Sequence, residues 1–203
     1  EWMYSSKLIS NNSVEVVYNG IDLKRFEFNK DIRYDYRKKL GIENQFVIGH
    51  IGRFEEQKNH TFLIDIFNEI YISDSSARLL LIGKGDLEQE IRDKVVQYGL
   101  NDAVTFLGVR DDVNKIMQAM DVFLLPSNYE GLPVVGVEAQ AAGLKVISSD
   151  NITKEVAITP NIEFVSLGKS ARECAEIILN VKENYIRNNT SELIKANGYD
   201  IKN

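Results

Sequence analysis

The chain contains very little cysteine and histidine, and it lacks any long hydrophobic run. Its single cysteine, Cys174, has no partner for a disulfide within the chain, so we expect a reducing compartment. The two histidines, His50 and His60, are isolated and show no spacing typical of zinc ligands. No apolar run approaches the roughly 18 residues of a membrane-spanning helix. These shortages exclude an intrachain disulfide and argue against a zinc site and a membrane span.

Several catalytic and nucleotide-binding motifs are also missing. The sequence has no GxSxG nucleophile elbow and no GxxxxGK[ST] phosphate loop. The stretch GKGD at residues 83–86 falls short of the GxGxxG dinucleotide fingerprint. Acidic residues outnumber basic ones by 30 to 24, and the net charge of −6 argues against nucleic acid as a partner, because binding phosphates requires a basic surface.

The chain does contain a regular alternation of two kinds of segment. Continuous apolar runs predict strands at residues 45–52, 77–83, 103–108, 121–127, 144–149 and 163–167. Segments with helical spacing lie at residues 60–71, 86–99, 113–120, 132–143 and 171–185. Apolar strands that alternate with helices predict a parallel sheet covered on both faces. With right-handed crossovers, the fold class is α/β, with a doubly wound Rossmann-like sheet.

Two shorter segments precede this alternation. Residues 14–18, VEVVY, are β-rich and end at the turn signal Asn19-Gly20. Residues 33–41 predict a short charged helix that ends at Gly41. Its basic residues predict a solvated face, with a membrane-surface patch as the alternative. They are Arg33, Arg37, Lys38 and Lys39.

In a doubly wound sheet, ligands bind in the loops that follow the carboxyl ends of the strands. Those loops cover residues 52–59, 83–86, 108–111 and 127–132. Three of the four begin with glycine, which lets a backbone approach a ligand closely. In the first loop, Arg53 and Lys58 could clamp a diphosphate, the arginine through its fork and the lysine as a point charge. On spacing alone, surface cations that pair with Glu55 and Glu56 are an equally good interpretation.

The helix at residues 132–143 is almost wholly apolar, yet it carries Glu138 in its middle. Pro133 suits the first turn of this helix and Gly143 suits its end. Glu138 would lie roughly 7–8 Å from the helix amino terminus, which itself favours a phosphate. We therefore expect a nucleotide diphosphate at the helix end, with its ribose hydroxyls at Glu138. The alternative is a glutamate at an exposed edge or one paired with a lysine.

Glu130 precedes the same helix, in the loop at the strand exit. There it could hydrogen-bond a sugar attached to the diphosphate, or respond to charge that develops at the anomeric carbon. The alternative is an acidic residue that only stabilises the helix dipole.

Five stretches, taken in order, carry a resemblance to a known family: VVYNGIDLKRF, IGRFEEQKNH, LLLIGKGDLEQEI, VTFLG and DVFLLPSNYEGLPVVGVEAQAAGLKVI. Glu130 and Glu138, with seven residues between them, match the E-x7-E signature of that family. From about residue 10 to 185, the chain resembles the C-terminal, donor-binding half of the retaining GT-B glycosyltransferases of the glycosyl-transferases-group-one family. The resemblance is strongest to members that build bacterial capsular, exopolysaccharide or lipopolysaccharide chains.

The resemblance implies three catalytic residues. Arg53 and Lys58 would bind the donor diphosphate and stabilise it as the leaving group. Glu130 would contact the donor sugar and phosphate. No metal or other cofactor is implied, because the two cations replace it, and the anomeric configuration would be retained.

Other positions would bind the donor without taking part in the chemistry. Glu138 would hold the ribose, and the backbone at Gly131 and Leu132 would contact the donor sugar and phosphate. The backbone at Val109 and Arg110 would contact the base. The family often has glycine where this chain has proline before the helix, so fewer backbone N–H groups would be left for the phosphate.

The resemblance also divides the chain into three parts. Residues 1–20 would hold the end of an N-terminal-domain helix and the interdomain connection, with a hinge at Asn19-Gly20. Residues 21–185 would form the nucleotide-sugar-binding domain, and residues 186–203 would begin a C-terminal crossover. Since the family has two such domains and this chain resembles only the second, we expect it to bind a sugar nucleotide weakly and to transfer nothing by itself.

The implied function is transfer of a sugar from an NDP-sugar to a saccharide or lipid-linked acceptor in bacterial polysaccharide biosynthesis. UDP is the expected donor nucleotide and GDP the alternative. The acceptor would bind through the first domain, in the cytoplasm and at the inner face of the membrane. Two alternatives stay open: a nucleotide-sugar epimerase or glycan phosphorylase of GT-B fold, and a non-catalytic nucleotide-binding module.

Overall fold

The computed structural model describes residues 19–202. The predicted strand at 14–18, and nearly all of the predicted connection at 1–20, lie outside the described residues. Within the described part, six strands form one parallel sheet in the order β3-β2-β1-β4-β5-β6. The strands are β1 Val47–Ile51, β2 Arg78–Ile82, β3 Val104–Phe106, β4 Val122–Leu125, β5 Lys145–Ser149 and β6 Ile162–Val165. This topology confirms the predicted α/β fold with a doubly wound parallel sheet.

Helices cover both faces of this sheet. Those of residues 19–202 are α1 Leu23–Phe26, α2 Lys30–Leu40, α3 His60–Ser73, α4 Glu88–Gln97, α5 Val113–Ala119, α6 Val134–Ala141, α7 Ala171–Asn184 and α8 Ser191–Ala196. The strands and helices predicted between residues 33 and 185 all form, with ends that differ by a few residues. Helices α1 and α8 were missed because such short segments show too little periodicity. In the described range, no helix has the length and apolarity needed to cross a membrane.

The strands bury side chains on both faces, which explains why their sequences are continuously apolar. On β2, Leu79 and Leu81 contact the layer formed by α3, α4 and α7. Leu80 and Ile82 contact the opposite layer, formed by α1, α2, α5, α6 and α8. All four side chains are at most 2% exposed. Because burial of one such side chain stabilises by about 1.5–3 kcal/mol, the sheet forms the stable base from which the loops project.

The basic residues of α2 divide into two pairs. Lys38 and Lys39 are exposed, as predicted for a solvated face. Arg33 and Arg37 turn inward, where they donate hydrogen bonds to backbone carbonyls at the end of α5 and pair with Asp121. The predicted solvated face is therefore wrong for these two arginines, because the unsatisfied carbonyls at a helix end attract guanidinium donors.

The segment after α7 returns to the body of the domain. The Tyr185 hydroxyl donates to the Gly143 carbonyl at 2.8 Å, and Arg187 Nε donates to the Ala142 carbonyl at 2.7 Å. Near the described end of the chain, the Ile21 N–H donates to the Tyr199 carbonyl at 2.7 Å. Residues 186–202 therefore pack on the same domain, and the predicted boundary after residue 185 stays a prediction.

Candidate functional site

The loops predicted to carry the site lie at the carboxyl edge of the sheet and are joined by hydrogen bonds. The Gly52 N–H donates to the Ile82 carbonyl at 3.0 Å, which ties the loop after β1 to the end of β2. The Asn128 N–H donates to the Gln57 carbonyl at 2.8 Å, which ties the loop after β4 to the loop after β1. Because β2, β1 and β4 are neighbours in the sheet, each loop is positioned by the next one.

Two glycines in the loop after β2 are required by contacts with the loop after β1. Gly83 has a φ of 137°, and a Cβ atom there would lie 2.0 Å from the Gly52 carbonyl oxygen. A Cβ atom at Gly85 would lie 2.5 Å from the Phe54 carbonyl oxygen. At the strand-exit glycine Gly83, where we predicted approach to a ligand, the structure shows an approach of one loop to another, and Gly85 has the same constraint two residues further along. Gly131 differs from them, because a Cβ atom there would have nothing within 4 Å.

Lys58 and Glu130 form an ion pair between two loops. A 3₁₀ turn at Glu56–Lys58 ends at Asn59, which has a φ of 55° and caps α3 through its side chain. This turn directs Lys58 Nζ to within 2.8 Å of Glu130 Oε2, and the Ser127 hydroxyl donates to Glu130 Oε1 at 2.5 Å. The side chains of Lys58 and Glu130 are only 16% and 7% exposed. Two predicted site residues are thus brought together, and the partner of Lys58 is not a glutamate of its own loop.

Arg53 has no such anchor. Its side chain is 79% exposed, and its contact with Glu55 is a long one, at 3.5 Å between Nη1 and Oε1. This contact agrees with the alternative interpretation of a surface cation paired with Glu55. Because exposed ion pairs contribute about 0–1 kcal/mol, the guanidinium is free to exchange this partner for a stronger anion.

Helix α6 begins beside this ion pair with an open amino terminus. Pro133 occupies the N-cap position, one residue before the first turn in which the sequence predicted it. No side chain caps the terminus, and the first turn contains no acidic residue. The exposed backbone of Gly131 and the half-buried Leu132 lie directly before the helix. An uncapped helix start next to open space is suited to bind an anion such as a phosphate.

Glu138 is the fifth of the eight residues of α6 and so lies near its middle, as the sequence predicted. It is partly buried, and no residue of the described chain hydrogen-bonds or ion-pairs its carboxylate. Burial raises the pKa of this carboxyl from 4.5 to about 7, and the positive charge of Arg25 opposes this rise. A carboxylate that is kept from water without a protein partner is costly. No lysine of residues 19–202 pairs with Glu138, so within this range the alternative of a lysine-paired glutamate is not found.

A pocket of about 700 Å³ lies over the ends of β1 and β2 and the loop that follows β3, and Lys58, Glu130 and Glu138 are not among its lining residues. Arg53, Val109 and Arg110 are among its lining residues. Val109 is 67% exposed, which leaves an apolar side chain and its backbone open to a flat ligand. The guanidinium of Arg110 is held by Asp112 through bonds of 2.8 and 2.7 Å, and this pairing lowers the pKa of Asp112 to about 2. The side chain of Arg110 thus fixes the loop.

Sequence reasoning missed the packing beneath the loop after β1. His50 is fully buried in β1, where Nδ1 lies 2.8 Å from the Leu124 carbonyl oxygen. The His60 ring stacks on Phe54 at 4.2 Å and meets His50 edge-on at 4.7 Å. Burial lowers the pKa values to about 4 for His50 and about 2 for His60, so both rings are neutral at pH 7. A histidine inside an apolar strand was the signal for this cluster, which supports the loop that holds Lys58.

The described residues contain no group of three His, Cys, Asp or Glu side chains that could hold a metal ion. The prediction that the reaction needs no metal or cofactor is not tested by this finding. The catalytic and donor-binding roles assigned above likewise stay predictions, although the residues concerned share one edge of the sheet.

The chain is similar in sequence to a known protein family and to several known proteins. The family model described as "Glycosyl transferases group 1" matches residues 33–200. EpsF of Bacillus subtilis (strain 168) is 38% identical over 156 residues, which cover 76% of this chain and 41% of the relative. The UDP-Gal:alpha-D-GlcNAc-diphosphoundecaprenol alpha-1,3-galactosyltransferase of Escherichia coli is 34% identical over 146 residues, which cover 68% of this chain and 36% of that enzyme. The chain thus spans about two fifths of the length of these relatives.

A solved structure supports the same assignment of fold. The complex of Anabaena HepE with UDP and glucose superposes with a TM-score of 0.75 at 25% identity. The match covers 91% of this chain and 50% of HepE. The six-stranded sheet with its helices is therefore the fold of one Rossmann-like half of a GT-B glycosyltransferase.

Proposed function

The chain belongs to the glycosyl transferases group 1 family, and we propose on this basis that it is the donor-binding domain of a retaining, metal-independent glycosyltransferase. The donor is an NDP-sugar, with a UDP-sugar as the first candidate. The relative that uses UDP-Gal and the HepE complex that contains UDP both favour this choice.

The proposal rests on two features of helix α6, its amino terminus and its fifth residue. Its amino terminus is uncapped, and its fifth residue, Glu138, is a partly buried carboxylate without a partner in the described chain. A nucleoside diphosphate supplies what both features lack. Its phosphates accept hydrogen bonds from the helix start, and its ribose hydroxyls donate to the carboxylate. The base then reaches the loop at Val109 and Arg110.

The ion pair with Glu130 holds Lys58 in a position from which it can bind the diphosphate leaving group. The Lys58 ammonium has three N–H donors, and the structure shows one carboxylate, that of Glu130, at 2.8 Å. The remaining donors can bind the diphosphate while Glu130 keeps the ammonium in place. Arg53 adds an exposed cation that pairs with the phosphates as they gain charge during bond cleavage. Glu130 also faces the donor sugar in this scheme.

The finer parts of the proposal concern the whole protein. The acceptor is a saccharide or a lipid-linked saccharide, as in the name of the galactosyltransferase relative. The pathway class is bacterial polysaccharide biosynthesis, as in the name of the relative from Salmonella typhi, with capsule as the proposed product. Such an acceptor would bring the protein to the inner face of the cytoplasmic membrane. Because the chain spans 41% of EpsF, we expect this chain alone to bind the donor and not to transfer the sugar.

A titration of the chain with UDP, GDP and ADP, monitored through its backbone NMR shifts, tests the proposal. We expect saturable shifts with one nucleotide, clustered at Arg53, Lys58, Val109, Gly131 and Glu138. Shifts elsewhere, or none with any nucleotide at millimolar concentration, would contradict donor binding by this chain. Turnover of a UDP-sugar by this chain alone would contradict the expected lack of transfer.

A further inference from the structure

Arg25 lies beside the candidate site, although no motif assigned it a role. It is an exposed residue of α1, and within residues 19–202 its side chain has no hydrogen-bond or ion-pair partner. It lines a pocket of about 620 Å³ together with Val109 and Arg110, the residues expected to contact the base. The Asn114 side chain donates to the Arg25 backbone carbonyl at 2.9 Å, which fixes the position of its backbone.

The packing of α1 explains this location. The helix contacts both α5, which follows the loop at Val109, and α6, which carries Glu138. Arg25 therefore lies on a helix that contacts both the helix after the base-contacting loop and the ribose-binding helix. Its charge acts on the Glu138 carboxyl and is the charge that opposes the effect of burial there.

We propose that Arg25 is a further nucleotide-binding residue whose guanidinium contacts the nucleoside end of the donor, between the loop at Val109 and Glu138. The proposal rests on the proposed function and deepens it. A guanidinium can stack on a base and donate to ribose oxygens at the same time, which an ammonium cannot do. An exposed cation without a partner also attracts the negatively charged nucleotide to this end of the site.

The test compares two neighbouring cations of the same helix. Lys24 is exposed like Arg25, but it lines neither the 620 Å³ pocket nor the 700 Å³ pocket. For the nucleotide that saturates the chain in the NMR titration, we expect Arg25→Ala to weaken affinity about tenfold, the usual effect of losing a charge-assisted hydrogen bond. Lys24→Ala should leave the affinity unchanged, and Arg25→Lys should restore only part of the loss. Equal affinities for the two alanine variants would overturn the proposal.

A second comparison separates direct contact from an indirect effect through Glu138. In a Glu138→Gln background, a direct contact predicts that Arg25→Ala still weakens binding about tenfold. Loss of this effect would show that Arg25 acts only on the carboxylate, and the proposal would be wrong. If the unsubstituted chain binds no nucleotide, the proposed function fails and this proposal with it. If the chain binds but Arg25→Ala does not matter, only this proposal fails.

Discussion

At the amino edge of the sheet, three arginines are enclosed by protein acceptors, whereas several charged groups at the carboxyl edge have no partner or only a long contact among the described residues. Arg33, Arg37 and Arg187 direct their guanidinium groups to the carbonyls of residues 117–120 at the end of α5. Asp121 pairs with the first two of them. Every one of these guanidiniums has protein partners, so we assign the amino edge to stability.

The carboxyl edge carries the same kinds of charged residue, but several of them lack close hydrogen-bond or ion-pair partners among the described residues. Glu138 has no partner in the described chain, Arg53 has only a long contact with Glu55, and Arg25 is exposed. Lys58 and Glu130 do pair, but they do so between two loops at the mouth of the site. The comparison teaches that an unsatisfied charge on a rigid edge indicates a ligand, while residue type alone does not.

The largest expected effect is at the amino edge, where Arg187→Ala should lower the free energy of unfolding more than substitutions at the carboxyl edge do. Arg187 is held by carbonyls from α5 and by Ala142, and burial lowers its pKa to about 9. Its removal takes a donor from the Ala142 and Met117 carbonyls, while the Gln118 and Met120 carbonyls keep Arg33, and we expect a loss of about 3 kcal/mol in the free energy of unfolding. Urea denaturation measures this loss. The matched control is Arg172→Ala on the surface of α7, and equal stability of the two variants would remove the contrast between the edges.

The next largest effect is expected for Glu138→Gln. This substitution should lower the affinity for the nucleotide and raise the stability of the fold. We expect Glu138→Gln to weaken nucleotide binding about tenfold, because a charged acceptor for the ribose is lost. Since burial raises the pKa from 4.5 to about 7, the folded chain holds this proton more tightly than the unfolded chain does. The stability that this proton provides is present below about pH 4.5 and is lost as the pH rises to about 7.

The pH dependence of unfolding checks this sign. The free energy of unfolding of the parent chain should fall relative to that of Glu138→Gln between pH 4.5 and 7 and then stay constant. A difference that does not vary with pH would show that Glu138 is solvated or paired in solution. The carboxyl edge would then not differ from the amino edge in the way described.

A smaller effect is expected for the ion pair between Lys58 and Glu130. A double-mutant cycle of Lys58→Met and Glu130→Gln should give a coupling energy of about 1–2 kcal/mol without nucleotide, because both side chains are shielded from water. Thermal or urea unfolding of the four chains provides the measurement. A coupling near zero would mean that the two loops are not joined by this contact.

The smallest change in stability is expected for Arg53→Ala. Its only described ion pair is long and exposed, so the free energy of unfolding should change by less than about 0.5 kcal/mol. Nucleotide affinity should nevertheless fall, and Arg53→Lys should recover part of it. A variant that loses stability while it keeps its affinity would reverse the role that we assign to Arg53.

Much of the fold could be read from local patterns. The apolar runs at 77–83 and 121–127 are too short and too continuous for amphipathic helices, and they became β2 and β4. Helix α2 began at Lys30, three residues before its predicted start, because the Asn29 side chain accepts hydrogen bonds from two N–H groups of the first turn. Helix α8 was missed, since six residues carry no readable period.

The site was predictable in part for the same reason. An acid in an apolar helix is a local signal, and the structure finds Glu138 without a partner in the described part, as expected. For the strand-exit glycine Gly83, the structure gives a reason other than the predicted approach to a ligand. Gly83 and Gly85 are required by the neighbouring loops, and no local pattern distinguishes a loop that contacts a loop from one that contacts a ligand.

The sequence by itself determined the order of strands and helices, the edge of the sheet at which the site loops lie and the position of Glu138 among apolar residues of a helix. These follow from periodicity and from the rule that parallel strands present their carboxyl ends together. Only the tertiary structure decided that Lys58 pairs with Glu130 and that Arg33 and Arg37 turn inward. The physical reason is separation along the chain: such partners lie some 70 to 90 residues apart and meet only after the sheet has set the strand order.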